Sequence, residues 1–389
     1  MPNPVSDTSS KRKTGLALSG GGFRATLFHI GALWRLNELG WLHRLDEISS
    51  VSGGSITAAW LGLNWKSLDF ANDGIVNNFE TLIAEPLEAF CARTIDVGSV
   101  LGGLIAPIYH PGQLITRAYR KHLFGDATLR DLPDGKHAGP RFTLYATSLQ
   151  TGSSVRLTRA YVGDYRVGLL RREKIPLAQA VAASSAFPPV LCPIRIACDP
   201  KAWQPVDGAD LYVHQDLRTQ LYLADGGVYD NLGLETISKT CHTVLVSDAG
   251  APLRIAHPSH VRWFGQLHYT KRVFDIISEQ TRALRTRKLI GDIIDARKQG
   301  AYWGIASKIG DYRLESQGLR PALTKDNRVT LQLAGMRTRL NRFHAEEQGR
   351  LINWGYALAD AAMRRYLPTG DTPPAAWPRP TFSLTDDRR

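Results

Sequence analysis

The sequence predicts an α/β fold, a sheet with helices on both faces, carrying a mostly helical C-terminal extension. Strand-like apolar runs alternate with helix-periodic stretches from residue 14 onward, which is the rhythm of such a sheet. Several of those runs stop abruptly on small residues, most clearly at SVSGGS, ALSGGG and LADGG. With 389 residues and 43% apolar content, the chain can bury a large core as one big domain or two smaller ones.

The elements follow in order. TGLALS (14–19) reads as a buried strand, and RATLFHIGALWRLNEL (24–39) has apolar residues at helical spacing and stops at Gly40. EISSV is the second strand, SITAAWLGL the next helix, and residues 70–90 read as largely helical. RFTLYATSLQ and SSVRLTRAYV alternate around Thr151-Gly152 like a hairpin. IPLAQAVAASSA is a short helix halted by Pro188-Pro189, since proline cannot continue it. QLYLAD and HTVLVSD close two more strands.

After Pro252 the texture changes. Residues 258–299 are helix-like, with Lys and Arg outnumbering Asp and Glu; a strand-like YWGIAS and a helix near 345–366 follow. The expected organisation is a flexible segment at 1–11, an α/β domain at 12–252 and a basic, mostly helical extension at 253–367 packed on that same domain. An irregular or disordered proline-rich tail is expected at 368–389.

Composition limits the setting. Cys91, Cys192, Cys198 and Cys241 are too few and scattered for a disulfide framework, and the polar start MPNPVSDTSSKRKTG has no apolar signal core. Both point to the cytoplasm. The net charge of +12 favours an anionic partner, either nucleic acid or the negative face of a membrane. Aromatic-rich RNA signatures and a DNA-binding helix motif are missing, which speaks against nucleic acid. The stretch VGSVLGGLIAPIYHPGQLIT (97–116) is apolar but broken by Gly and Pro, and is too short in its dense part to span a bilayer. It suits a lid or membrane-touching loop, or an ordinary buried loop.

Three strand ends carry the candidate chemistry. In EISSVSGGSITAAW the strand stops on Ser-Gly-Gly and a helix starts at once. Such a turn exposes Ser52 at its tip, with Ser50 and Gly54 as the small flanks that let the chain double back. In LALSGGGFRATLF, Gly20, Gly21 and Gly22 can aim backbone N–H groups into a concavity at a helix N-terminus, with Arg24 adding charge. That arrangement suits a phosphate or the oxyanion of acyl transfer, or is only a structural turn. No Walker lysine follows, and no acid closes the next strand as a dinucleotide site requires. In YLADGGVYDNLGLE, Asp225 closes a strand and is a base candidate for a serine nucleophile.

Taken together, S-G-G-G-F-R-A, V-S-G-G-S and D-G-G-V-Y-D-N-L-G resemble the patatin-like phospholipases, and the glycine-arginine box is also similar to the group IV cytosolic phospholipases. The resemblance covers roughly residues 12–250. It implies a three-layer α/β/α sandwich and hydrolysis of fatty acyl esters of membrane phospholipids. It also implies a Ser52–Asp225 dyad working without histidine, an oxyanion hole at Gly20, Gly21 and Gly22, and Arg24 as the basic residue closing that box and binding substrate. Ser50 departs from the usual glycine of the elbow but is small enough to keep it feasible. The implied setting is cytoplasmic, with peripheral attachment to an anionic membrane surface during catalysis. No cofactor or metal is implied, and the histidines show no HExxH or comparable ligand spacing.

Two rivals stand beside this reading. A Ser-Asp-His triad would join Ser52 to Asp248 and His257 or His260, leaving the D-G-G segment without a task. Alternatively, the chain is a non-catalytic binder of anionic lipid acting through its basic helices.

Overall fold

The computed structural model describes residues 13–95, 111–135, 138–171, 174–253, 255, 266–368, 370 and 373–385. Its strands are β1 (Thr14–Leu18), β2 (Glu47–Val51), β3 (Arg141–Ser148), β4 (Ser154–Thr158), β5 (Val162–Asp164), β6 (Gly168–Leu170), β7 (Ile194–Ala197), β8 (Trp203–Gln204), β9 (Gln220–Asp225), β10 (Thr243–Asp248) and β11 (Gln299–Gly304). They form one mixed sheet in the order β11-β10-β1-β2-β3-β4-β5-β6-β8, with β9 paired to β3 and β7 to β9. The run β11-β10-β1-β2-β3 is parallel, and its connections carry helices, as parallel pairing requires. From β4 onward the pairing is antiparallel.

The helices that position the site are α1 (Gly22–Glu38), α2 (Gly53–Asn64), α3 (Glu85–Cys91), α4 (Pro111–Tyr119), α5 (Leu177–Ser184), α6 (Asp216–Thr219), α7 (Gly227–Asp230), α8 (Ile237–Thr240), α9 (Gln266–Ile294), α10 (Arg328–Ala334) and α11 (Ala345–Tyr366). Alternation along β1 shows why both sheet faces are covered. Leu16 and Leu18 enter a large core with α1, α2 and α11, whereas Ala17 joins Val244, Val246, Leu234, Ile237 and Leu289 in a smaller core on the opposite face. The result is a three-layer α/β/α sandwich.

The expected helix over 70–90 is shorter than its sequence suggests. Asp73 and Gly74 make a turn, with Ile75 N–H on the Asp73 carboxylate at 3.0 Å and a bridge between Phe70 and Val76. The helix forms only beyond it, through a π turn at Glu80–Ala84 into α3.

The C-terminal third is built into the sandwich. It supplies β11 to the sheet edge and α11 to the large core. Arg35 of α1, buried, bonds Asp360 of α11 at 2.9 Å, and Arg364 bonds the same carboxylate at 2.7 Å. Residues 373–385 are irregular yet packed: the Asn353 amide holds the carbonyls of Arg379 and Phe382, and Leu384 is buried.

Most of the apolar 97–116 stretch lies outside the described residues; its last residues start α4. No helix among the described residues is long and apolar enough to cross a membrane.

Candidate active site

The sheet register brings two strand ends together. β2 runs along β3 until Val51 stands opposite Tyr145, and on the next rung Ala146 stands opposite Asp225, where β9 arrives from the other direction. The C-terminal ends of β2 and β9 therefore meet head to head on one side of β3. The residue that leaves the sheet there is Ser52.

Ser52 adopts φ 52° and ψ −120°, a conformation that side chains disfavour and that a tight strand-to-helix turn enforces. The turn is feasible because of what surrounds it. A Cβ at Gly53 would stand 2.0 Å from the Gly22 carbonyl oxygen, so only glycine fits between the elbow and the glycine box. Ser50, where a glycine is usual, forms part of a buried hydroxyl chain: it meets Ser55 Oγ at 2.9 Å, and Ser55 meets Ser184 Oγ at 2.8 Å.

Asp225 is buried; its carboxylate accepts the Gly227 N–H at 2.7 Å and lies close enough to the Ser52 hydroxyl for that group to lower its pKa. Burial pushes its pKa up to about 6, against the lowering effect of those two groups. The carboxyl therefore titrates just below neutrality. Neither partner is an imidazole.

The glycine box divides its work. Gly20 N–H donates to the Asn231 carbonyl at 3.0 Å, so it is turned away from an oxyanion. Among the described residues the N–H groups of Gly21 and Gly22 have no protein acceptor. Gly22, at φ 57°, lies where a Cβ would stand 1.9 Å from the Thr338 carbonyl oxygen. The guanidinium of Arg24 is fully buried, donating to the carbonyls of Ala249 at 2.6 Å and Met336 at 2.7 Å. It holds backbone in this conformation and has no surface to offer a phosphate.

Of the triad rival, Asp248 is engaged elsewhere. Asp248, fully buried, accepts from Arg282 and Tyr302 at 2.7 Å each and from Gly250 N–H at 2.8 Å. His257 and His260 lie outside the described residues. His29, buried in the interior, bonds Ser247 Oγ at 2.8 Å and the Ser19 carbonyl at 2.9 Å; burial lowers its pKa to about 4, which keeps it neutral.

Sequence reasoning missed the end of α5. The Ser184 carbonyl accepts the N–H of Ser52 and of Gly226, both at 3.2 Å, and the Ala186 carbonyl accepts the N–H of Asp225 at 2.9 Å. One helix end thus fixes both strand ends. The only signal in the sequence was a Ser-Ser pair ahead of Pro-Pro, which reads as an ordinary helix stop.

A three-layer α/β/α sandwich with a strained serine at a strand-to-helix turn narrows the class. Residues 16–237, more than half of the chain, match the patatin-like phospholipase family model, and the chain belongs to that family. No curated protein matches it in sequence. Among solved structures it is similar to human GIVD cytosolic phospholipase A2 in complex with methyl γ-linolenyl fluorophosphonate. That likeness has a TM-score of 0.50 and 14% identity, covering 91% of this chain and 58% of that one. Another structure of human GIVD cytosolic phospholipase A2 gives 0.49, 13%, 91% and 60%, and VipD from Legionella pneumophila gives 0.37, 15%, 92% and 68%. The chain thus spans under two thirds of the length of the human phospholipase, and at these identities the likeness is one of fold.

Proposed function

We propose that the protein is a lipid acyl hydrolase in which Ser52 attacks a fatty acyl ester and Asp225 serves as its base. The observation that carries this reading is the meeting of the β2 and β9 ends on β3, which sets the Ser52 hydroxyl beside the buried Asp225 carboxylate. Membership of the patatin-like family supports the substrate class.

The reaction runs in two halves. Asp225 takes the Ser52 proton as the oxygen bonds the acyl carbon, and the proton then passes to the departing alcohol as the ester bond breaks. Water attacks the acyl-serine, giving its proton to Asp225; the proton returns to Ser52 as the fatty acid leaves. The N–H groups of Gly21, Gly22 and Gly53 are the proposed oxyanion donors, Gly53 as the residue following the nucleophile at the N-terminus of α2. Arg24 closes the box from within by holding Ala249 and Met336. The proposed substrates are membrane phospholipids, reached by a cytoplasmic protein whose +12 charge draws it to anionic bilayers.

Incubation with mixed phospholipid vesicles and mass spectrometry of the products tests this. Free fatty acid and lysolipid are expected, together with one fluorophosphonate adduct on Ser52. Ser52→Ala and Asp225→Asn should each abolish turnover, and the double variant should lose little more. Substantial hydrolysis in either single variant would sink the dyad.

A further inference from the structure

The glycine box is shaped by a segment far outside the family-matched region. Residues 335–343 cross it, and three of their carbonyls face it: Met336 takes Arg24 Nη1 at 2.7 Å, Arg339 takes Phe23 N–H at 3.3 Å, and Thr338 fills the space beside Gly22 that a side chain would occupy. On its other side the segment is pinned to the end of α3. Leu340 O accepts Ile95 N–H at 2.9 Å, Arg342 N–H donates to Thr94 Oγ1 at 3.1 Å, and Phe343 N–H donates to Cys91 O at 2.9 Å. Leu340 and Phe343 are its buried anchors.

One side chain gives the segment its shape. Arg337 bonds Glu347 at the start of α11 (2.9 Å to Oε2), the Asn341 amide oxygen at 3.1 Å and the Arg342 carbonyl at 2.6 Å, with its guanidinium 3.9 Å from the Phe343 ring centroid. Glu347 also accepts His344 N–H at 2.8 Å, which ties the strap to the helix cap.

We propose that residues 335–343 are a strap that sets the oxyanion loop, and that Arg337 is the positioning residue that fixes the strap. This rests on the hydrolase reading above. The loop has little shape of its own, because three consecutive glycines leave its peptide planes nearly unrestricted. An oxyanion donor works only when aimed in advance, so a displaced strap lowers the chemical step while leaving the nucleophile and base in place. In this chain the C-terminal third therefore completes a site whose nucleophile, base and glycine box lie within residues 16–237.

The test compares wild type, Arg337→Ala, Arg337→Lys and Glu347→Gln on a neutral nitrophenyl acyl ester and with a fluorophosphonate probe. Arg337→Ala should lower kcat and the labelling rate about 10- to 100-fold, with KM unchanged and labelling still reaching one adduct per chain. Arg337→Lys, which keeps the charge but loses the planar fork, should fall between it and wild type. Arg337→Ala combined with Glu347→Gln should be no worse than Arg337→Ala alone. Wild-type rates in Arg337→Ala, or a rate loss matched by lost labelling stoichiometry, would overturn the strap while leaving the hydrolase intact. A wild-type protein that neither hydrolyses nor labels would instead overturn the hydrolase reading, and the strap's role with it.

Discussion

The peptide N–H of Ser52 donates to Ser184 twice, to its carbonyl at 3.2 Å and to its hydroxyl at 3.1 Å. Because the same carbonyl also takes Gly226 N–H, Ser184 sets the separation between the elbow and the Asp225 strand end. Its hydroxyl is the end of the chain that starts at Ser50, so the serine in place of the usual elbow glycine has a bonding partner network.

Ser184→Ala should therefore do two things. It removes one hydroxyl from a fully buried network and leaves Ser55 with one partner fewer, costing about 1–2 kcal/mol by chemical denaturation. It also loosens the elbow, so kcat should fall about tenfold with KM unmoved. A stability loss with kcat unchanged would confine Ser184 to the fold.

Asp225 links activity and stability to pH with opposite signs. As a base it must be ionised, so kcat/KM should fall about tenfold per pH unit below about 6 and level off above it. For stability, the folded carboxyl titrates near 6 and the unfolded one near its ordinary 3.8, so folding favours the protonated form. The residue is harmless below about pH 4. Its cost develops between 4 and 6 and is complete by pH 7, at roughly 3 kcal/mol for a shift of this size. Asp225→Asn should thus be inactive yet more stable than wild type at pH 7, with the advantage shrinking towards pH 4. Melting both proteins across that range checks it; a pH-independent difference would mean that titration of Asp225 is not responsible.

The parts of the site legible in the sequence are those with short-range causes. A strand that stops on small residues reports its own turn, which is why Ser52, Asp225 and the glycine box stand out. What the fold adds depends on partners far along the chain. Three consecutive glycines look equivalent until Asn231 takes the N–H of Gly20. Asp225 and Asp248 both close strands, and only packing shows one facing Ser52 and the other facing Arg282. The strap meets the glycine box through main-chain carbonyls, which any residue supplies, so those contacts leave no signal in the sequence.

Arg24 offers a separation between bracing and substrate recognition. Its two carbonyl partners, Ala249 and Met336, belong to the loop after β10 and to the strap. Arg24→Ala should impair a phospholipid and a neutral nitrophenyl ester equally, and Arg24→Lys should restore little, since one ammonium cannot span both carbonyls as the fork does. A loss confined to the phospholipid would restore a phosphate-binding role.

Strain at the elbow is measurable by itself. Ser52 holds φ 52° and ψ −120°, where a Cβ is disfavoured, and such residues cost about 1–3 kcal/mol each. Ser52→Ala and Ser52→Gly both delete the hydroxyl beside Asp225, so they differ only in the Cβ and in the freedom of the unfolded chain. That freedom disfavours glycine by roughly 0.5–1 kcal/mol at an ordinary position. If strain is stored here, the order inverts: Ser52→Gly should be the more stable variant by about 1 kcal/mol, although both are inactive. Urea melts of the two variants at one pH decide it. Finding Ser52→Ala the more stable by the full glycine penalty of roughly 0.5–1 kcal/mol would mean that the elbow carries no strain and that the serine is held there without penalty.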